Sequence, residues 1–335
     1  MNHFIKVFII SLLSFSLVIF TGLFTYDKYF GNEGIEIGDS NDKQGNEEDD
    51  NIDYNSPLEK AMHDSHRINV LLLGLEGYRT DTIMVASFDR KTKDAIIISI
   101  PRDTYYKREG YSKYSEFQKV NAIFQTEDTV EDGYKAVAKA VEEMIGIPIE
   151  KYVSIEYDGV RAAVTAIGGV EVDVPFHMKY SDPYDTPPLY IDIPAGKQII
   201  YGDKAMEFLR FRKSNHEGYY GYKNGDLGRI EVQQQFVKSA INKSLSLKLP
   251  SVISAVYPHV KTNFTLTELL GLGKDAIGFS IENLETTTIP GIDRNMGGLS
   301  FYVVDGEEVI KLVYDLYDVP LSAETDSEEL ANNIE

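Results

Sequence analysis

The residues best suited to chemistry in this sequence are carboxylates and arginines that stand just after apolar runs. Glu76, Arg79 and Asp81 follow the run Ile68–Leu73, and Arg102 and Asp103 follow Ala95–Ile100 and Pro101. Short apolar runs rich in leucine or β-branched residues, bounded by glycine or proline, read as buried strands. Ile68–Leu73, Thr82–Asp89 and Ala95–Ile100 are therefore expected as strands, with turns at Gly74–Gly77 and Lys91–Asp94. Strand ends set on a rigid core are where α/β proteins usually keep their chemistry. Carboxylates and arginines brought to one such edge can hold a metal ion and a phosphate together. Taken singly, the same residues also suit ordinary turn and rim positions.

A second set lies farther along. Leu209-Arg210-Phe211-Arg212 alternates apolar and basic. If that segment is extended, Arg210 and Arg212 share one face, and two adjacent cations call for a phosphate or carboxylate partner. Asp226 suits the N-cap of a long helix, Leu227–Leu247. Arg229 and Gln233, at i and i+4, share one side of its first turns. The positive helix end together with Arg229 favours an anion. Between these sets, the glycine- and tyrosine-rich stretch His216–Asp226 reads as flexible and long enough to act as a lid.

The elements that must position these residues alternate strand with helix, which predicts a layered α/β/α domain with a central mixed β-sheet. Helices are expected at Thr129–Ile145, Tyr157–Ile167, Gly202–Phe208, Thr265–Phe279 and Gly306–Tyr317. Further strands are expected at Ile147–Ile155, Val170–Val174, Glu285–Ile289 and Leu299–Val303. His177–Pro194 reads as a loop, and Pro290–Gly298 as a turn. The chain of 335 residues has room for a substantial core. Its net charge of −20 argues against a nucleic-acid partner, and with no cysteine it has neither disulfides nor thiolate chemistry. No P-loop, G-x-S-x-G or H-E-x-x-H motif is present.

The N-terminal region is organised differently. Val7–Phe24 carries no charge, and with Phe4–Lys6 the segment can cross a bilayer at ~1.5 Å per residue. It lacks an A-x-A-like cleavage site, so residues 4–24 are expected as a single-pass anchor, leaving 1–3 in the cytoplasm and the remainder outside. Residues 25–56 form an acidic stretch too poor in large apolar groups to fold, expected as a spacer. The folded domain is placed at 57–322, with an acidic tail at 323–335.

Six stretches in order carry a family resemblance: G-L-E…R-T-D-T, S-I-P-R-D-T, K-V-N-A-I-F, A-I-G-G-V-E-V-D-V-P, G-K-Q-I-I-Y-G-D-K-A-M-E-F-L-R-F-R and D-L-G-R-I-E-V-Q-Q. From about Asn69 to Ala240 the chain resembles the LytR-CpsA-Psr family. The resemblance implies a membrane-held enzyme of the bacterial envelope. Such an enzyme moves a glycopolymer, of teichoic acid or capsule type, from a polyprenyl-pyrophosphate carrier to a peptidoglycan hydroxyl. It implies pyrophosphate-binding roles for Arg79, Arg102, Arg210, Arg212, Arg229 and Gln233, and catalytic roles for Arg102, Asp103 and Asp81. It also implies Mg²⁺, or Mn²⁺, at Asp81 and Glu76, and an apolar groove for the lipid. Glu76 and Val232 stand where the family commonly has aspartate and arginine. Two other readings of the same site stay open: hydrolysis of a polyprenyl pyrophosphate, and a non-catalytic anion- or lipid-binding regulator.

Overall fold

The computed structural model describes residues 56–321, except 77, 186–187 and 246–248 and the side chains at 76, 249 and 251. The expected anchor, most of the spacer and the tail lie outside these residues. Among the described residues, no helix is long and apolar enough to cross a membrane.

A six-stranded sheet forms the centre. Its strands are β1 (Arg67–Glu76), β2 (Arg79–Asp89), β3 (Ala95–Ile100), β4 (Lys151–Ile155), β9 (Val260–Thr262) and β10 (Leu284–Thr288), in the order β10-β3-β2-β1-β4-β9. Strands β1, β3, β4 and β10 run one way, and β2 and β9 run the other. The sheet is therefore mixed, as expected. Alternate side chains of each strand face opposite sides. Leu71, Leu73, Val85 and Ile98 join one core with α2 (Val130–Ile145) and α8 (Gly306–Leu316). Leu72, Met84 and Ile97 face the other way, towards Val237 and Ile241 of α5 (Asp226–Leu245). That makes the three layers. Helix α2 is bounded by Thr129, whose hydroxyl accepts from the Asp132 amide, and by Gly146 at φ 80°, a left-handed stop that glycine adopts without strain. Ile98 is fully buried in β3. Ile98→Ala is expected to cost about 2–5 kcal/mol, read as a lower urea midpoint with an unchanged slope.

Beside the sheet sits a second apolar cluster. It is built from α3 (Tyr157–Ala166), α4 (Gly202–Arg210), the β5–β8 pair (Val170–Val174 with Gly196–Ile200) and the β6–β7 hairpin (Met178–Asp182 with Leu189–Ile193). Several expectations are corrected here. His177–Pro194 contains the β6–β7 hairpin rather than a loop; its Asp, Pro and Tyr residues mask two short strands, of which β6 buries only Met178 and β7 only Ile191 and Ile193. Strand β8 was not expected at all. The supposed turn Pro290–Gly298 is mostly strand β11 (Gly291–Met296), paired with β12 (Leu299–Val304) and turning at Gly297-Gly298. Its side chains are largely exposed, so no apolar alternation marks it. Strand β1 runs through Gly74 to Glu76, with a register irregularity at Gly74/Leu75, where a turn was expected. Helix α6 (Leu249–Val256) and strand β9 complete the described structure with α7 (Leu266–Asp275) and α1 (Pro57–Asp64).

Candidate functional site

The directions of the strands decide where the site lies. The C-terminal ends of β1, β3, β4 and β10 share one edge with the start of β2. Asp81 therefore stands at that edge, as does Arg102, two residues beyond the end of β3. Helix α5 begins at Asp226 and brings Arg229 and Gln233 on its first turns. Its register against the sheet is pinned by buried Gln234, which donates to the Ser99 hydroxyl at 2.9 Å and the Thr287 carbonyl at 2.7 Å. Gln233 donates to the Leu209 carbonyl at 3.1 Å, tying α5 to the end of α4. Arg210 is the last residue of α4 and Phe211 is extended (φ −63°, ψ 130°), so Arg210 and Arg212 leave a helix end rather than one strand face.

These side chains form a linked charge cluster. Arg102 donates to Asp81 at 2.7 Å. Arg229 pairs with Asp226 at 2.8 Å, and Arg212 approaches the same oxygen at 3.9 Å. Arg210 donates to Asp185, in the β6–β7 connection, at 2.7 Å and lies 4.8 Å over the Tyr157 ring. The Arg229 side chain is 9% exposed and that of Arg212 is 44%, so the cluster runs from buried to solvated. Burial alone would lower the Arg102 pKa, but the hydrogen bond and charge of Asp81 and the charges of Asp226 and Asp103 raise it. Arg229 is lowered by burial, with Arg102 and Arg212 adding repulsion that Asp226 and Asp81 only partly offset. The Nε–H groups of Arg102 and Arg229 and both Asp226 oxygens are buried without a hydrogen-bond partner among the described residues. The 2.8 Å Arg229–Asp226 contact is an ion pair without hydrogen-bond alignment. Unmatched buried donors are costly, and sites that take up an anion are where they are tolerated.

The cluster borders a cavity of about 620 Å³ lined mostly by apolar side chains. Leu72 and Met84 of the sheet form one wall, Val160 and Val164 of α3 another, and Phe236 and Val237 of α5 a third. Arg102, Arg210, Arg212, Arg229, Gln233 and Asp81 also line it. Arg79 opens β2, is exposed and lies outside the lining. Asp103 lies outside it too, paired with the Lys119 ammonium at 3.0 Å. The Glu76 side chain lies outside the described residues. Among those residues no group of three or more potential metal-ligating side chains is gathered.

Sequence reasoning missed two carboxylates. Asp226 was assigned a capping role, although D-x-x-R on a helix also sets up an i,i+3 ion pair. Asp185 sits in a proline-rich connection with no periodicity to reveal it. The expected lid is tied down rather than loose. Asn215 donates to the Ser181 carbonyl at 2.6 Å and accepts from its amide at 3.0 Å, and His216 Nε2 lies 3.0 Å from the Ser181 hydroxyl. Lys179 lies over Tyr219 at 5.3 Å. Asn215→Ala removes two hydrogen bonds of ~1 kcal/mol each. Amide exchange across 213–222 is then expected to quicken about tenfold or more, while exchange in the sheet stays unchanged.

Comparison with known proteins follows the same lines. A model of the LytR_cpsA_psr family matches residues 29–317. The polyisoprenyl-teichoic acid–peptidoglycan teichoic acid transferase TagV of Bacillus subtilis (strain 168) is 30% identical over 246 residues, 70% of this chain. The match spans 59% of TagV's length. The corresponding TagU transferase of Oceanobacillus iheyensis is 27% identical over 272 residues, 78% of each chain. The crystal structure of B. subtilis TagV superposes with a TM-score of 0.61 at 27% identity, covering 77% of this chain and all of that one. A structure of TagT bound to LIIa-WTA shares the fold at TM-score 0.58 and 24% identity, covering 82% of this chain and 92% of that one. With a family match spanning nearly all the described residues and a mixed sheet of the same fold, this chain belongs to the LytR_cpsA_psr family.

Proposed function

We propose that this chain is an envelope phosphotransferase. It moves a glycopolymer from a polyprenyl-pyrophosphate carrier to a hydroxyl of peptidoglycan and forms a phosphodiester. The observation that carries this reading is the joining of four arginines to an apolar cavity, which suits a ligand with an anionic head and a long hydrocarbon tail. The names of its relatives, teichoic acid transferases, support the donor class. Residues 4–24 are the proposed membrane anchor, with the domain outside the cell.

Arg102, Arg210, Arg212 and Arg229 neutralise the diphosphate. Forked guanidinium donors match its oxygens, and the buried Nε–H groups of Arg102 and Arg229 gain acceptors. The acceptor hydroxyl attacks the phosphorus that carries the glycopolymer. The new P–O bond forms as the bond to the bridging oxygen breaks, polyprenyl phosphate leaves with the electron pair, and the hydroxyl proton passes, through a carboxylate acting as base, to solvent or to the leaving phosphate. In this displacement, positioning and charge stabilisation at the attacked phosphorus supply most of the catalysis. Arg102, held by Asp81, is the donor best placed for that charge. Asp103, fixed by Lys119 beside it, keeps the following turn in place.

Mg²⁺ belongs to this reading. Such an ion takes one or two carboxylates and completes its shell with phosphate oxygens and water. Asp81, which lines the cavity beside the arginines, would hold it, with Glu76, whose side chain lies outside the described residues, as the expected second carboxylate. When bound it supplies Lewis-acid charge to the diphosphate.

The test uses the full-length chain in detergent, a radiolabelled polyprenyl-pyrophosphate saccharide and purified peptidoglycan. Label is expected in the wall fraction, and chelator is expected to remove it. Saccharide phosphate released without wall labelling makes the chain a hydrolase. Binding without turnover makes it a binding protein.

A further inference from the structure

Three carboxylates line the cavity: Asp81, Asp182 and Asp185. Two of them are ion-paired, Asp81 accepting from Arg102 and Asp185 from Arg210, each at 2.7 Å. Asp182 takes part in no ion pair among the described residues. It is the last residue of β6 and falls between the matching stretches, so no motif marks it. Its Oδ1 accepts from the Tyr184 amide at 3.0 Å, the side-chain turn that ends the strand. The Tyr180 hydroxyl approaches Oδ2 at 3.5 Å, near the limit of a hydrogen bond. One oxygen is thus fixed by the backbone, and the other is held only loosely.

A general base needs an oxygen within hydrogen-bond reach of the proton it takes. Asp226 and Asp103 offer less: neither lines the cavity, and each faces a cation, Asp226 between Arg229 and Arg212 and Asp103 beside Lys119. In an in-line displacement the attacking oxygen enters opposite the leaving one. The leaving oxygen belongs to the polyprenyl phosphate, whose tail suits the apolar walls, so the acceptor hydroxyl comes from the polar end. Peptidoglycan is too large to enter a cavity of about 620 Å³, so its hydroxyl has to be met at the mouth. Asp182 suits that place. It is half-buried, and exposed Pro183 and Tyr184, the latter 94% exposed, follow it. Tyr180, which also lines the cavity, is raised by burial and by the charges of Asp182 and Asp185, with Arg210 opposing them, so Asp182 shares the neighbourhood of the arginines.

We propose that Asp182 is the carboxylate that takes the proton from the acceptor hydroxyl. As that oxygen bonds to the phosphorus, its proton passes to Asp182 Oδ2. The bond to the bridging oxygen breaks, and polyprenyl phosphate leaves with the electron pair. Asp182 then gives the proton to water at the mouth and regains its charge. The proposal rests on the transferase reading above and names the base which that reading requires. The competing role for Asp182 is structural, as the cap of the Tyr184 turn alone. Asparagine separates the two. Its side-chain oxygen still accepts from the Tyr184 amide, but it does not take up the proton.

The test follows label from a radiolabelled polyprenyl-pyrophosphate saccharide into purified peptidoglycan, using the full-length chain in detergent. Farnesyl diphosphate binding is measured alongside by titration calorimetry. Asp182→Asn is expected to lower kcat by about 10²-fold or more, with the donor KM and the affinity for farnesyl diphosphate within about threefold of wild type. Exchange of the Tyr184 amide stays slow in Asp182→Asn and quickens in Asp182→Ala, while both variants lose transfer alike. Asp182→Glu recovers part of kcat, because it restores a carboxylate. Should Asp182→Asn fail to fold, Asp182→Ser, whose hydroxyl can also cap the turn, gives the same reading. Transfer by Asp182→Asn within threefold of wild type overturns the proposal and leaves Asp182 a turn cap. A loss confined to KM and to farnesyl diphosphate affinity overturns it as well, and makes Asp182 a binding group. If the wild-type chain puts no label into peptidoglycan, the transferase reading fails and this inference fails with it. If Arg102→Ala abolishes transfer while Asp182→Asn keeps it, only this inference fails.

Discussion

If the proposed transfer holds, Arg102→Ala is expected to lower incorporation into peptidoglycan by about 10³-fold with the fold intact. Arg102 leaves the C-terminal end of β3 on the Pro101 turn, and its guanidinium donates to Asp81 at 2.7 Å. Its raised pKa, with burial outweighed by Asp81, Asp226 and Asp103, shows that its surroundings favour the charge. A cation of that kind does most when negative charge grows opposite it, so its loss appears in kcat more than in KM. Arg102→Lys keeps the charge but not the planar fork, and recovery should be slight. Single-turnover assays on the full-length chain, with circular dichroism to verify folding, check the result. A loss confined to KM would leave Arg102 a binding group only.

Asp226→Ala is expected to destabilise the domain through charge rather than packing. The carboxylate lies between Arg229 at 2.8 Å and Arg212 at 3.9 Å, and Arg102 also feels its charge. Its removal leaves guanidiniums facing one another, with Arg229 already depressed by burial and by Arg102 and Arg212. Stripping one partner from a largely buried pair costs about 3 kcal/mol. In a domain of this size that lowers Tm by roughly 5 °C. Inorganic pyrophosphate should then raise the Tm of Asp226→Ala more than that of the wild-type chain, because the ligand supplies the missing negative charge. Thermal unfolding with and without pyrophosphate separates this from a simple packing defect, which the anion would not repair.

The legible parts of this chain were those where local pattern and tertiary role agree. Strands β1, β2 and β3 are buried on both faces, so their apolar runs stand out, and Gly146 marks the end of α2. Asp81, Arg102, Arg210, Arg212, Arg229 and Gln233 could be singled out because they fall at element ends or at helical spacing, and all six border the cavity. Arg79 and Asp103 have the same sequence credentials but stand outside its lining. Sequence position fixes which strand end a residue occupies, not which way it turns there. Strand β11 stayed hidden because it is exposed and held chiefly by pairing with β12. Asp185 stayed hidden because its meaning comes from Arg210, 25 residues away in sequence.

The cavity between sheet, α3 and α5 has a further consequence, for the rhythm of turnover. Breaking the P–O bond divides the donor's head from its tail, but the tail belongs to the leaving group. In the proposed reaction polyprenyl phosphate leaves with that tail, and Leu72, Met84, Val160 and Phe236, which line the cavity, are the side chains placed to hold it after the glycopolymer has gone. The proposed chemistry then ends with the lipid product still in the cavity, and its return to the bilayer is expected to limit the steady rate. A rapid first turnover followed by a slower steady rate is expected, and the steady rate should rise when the medium offers the lipid a better apolar refuge.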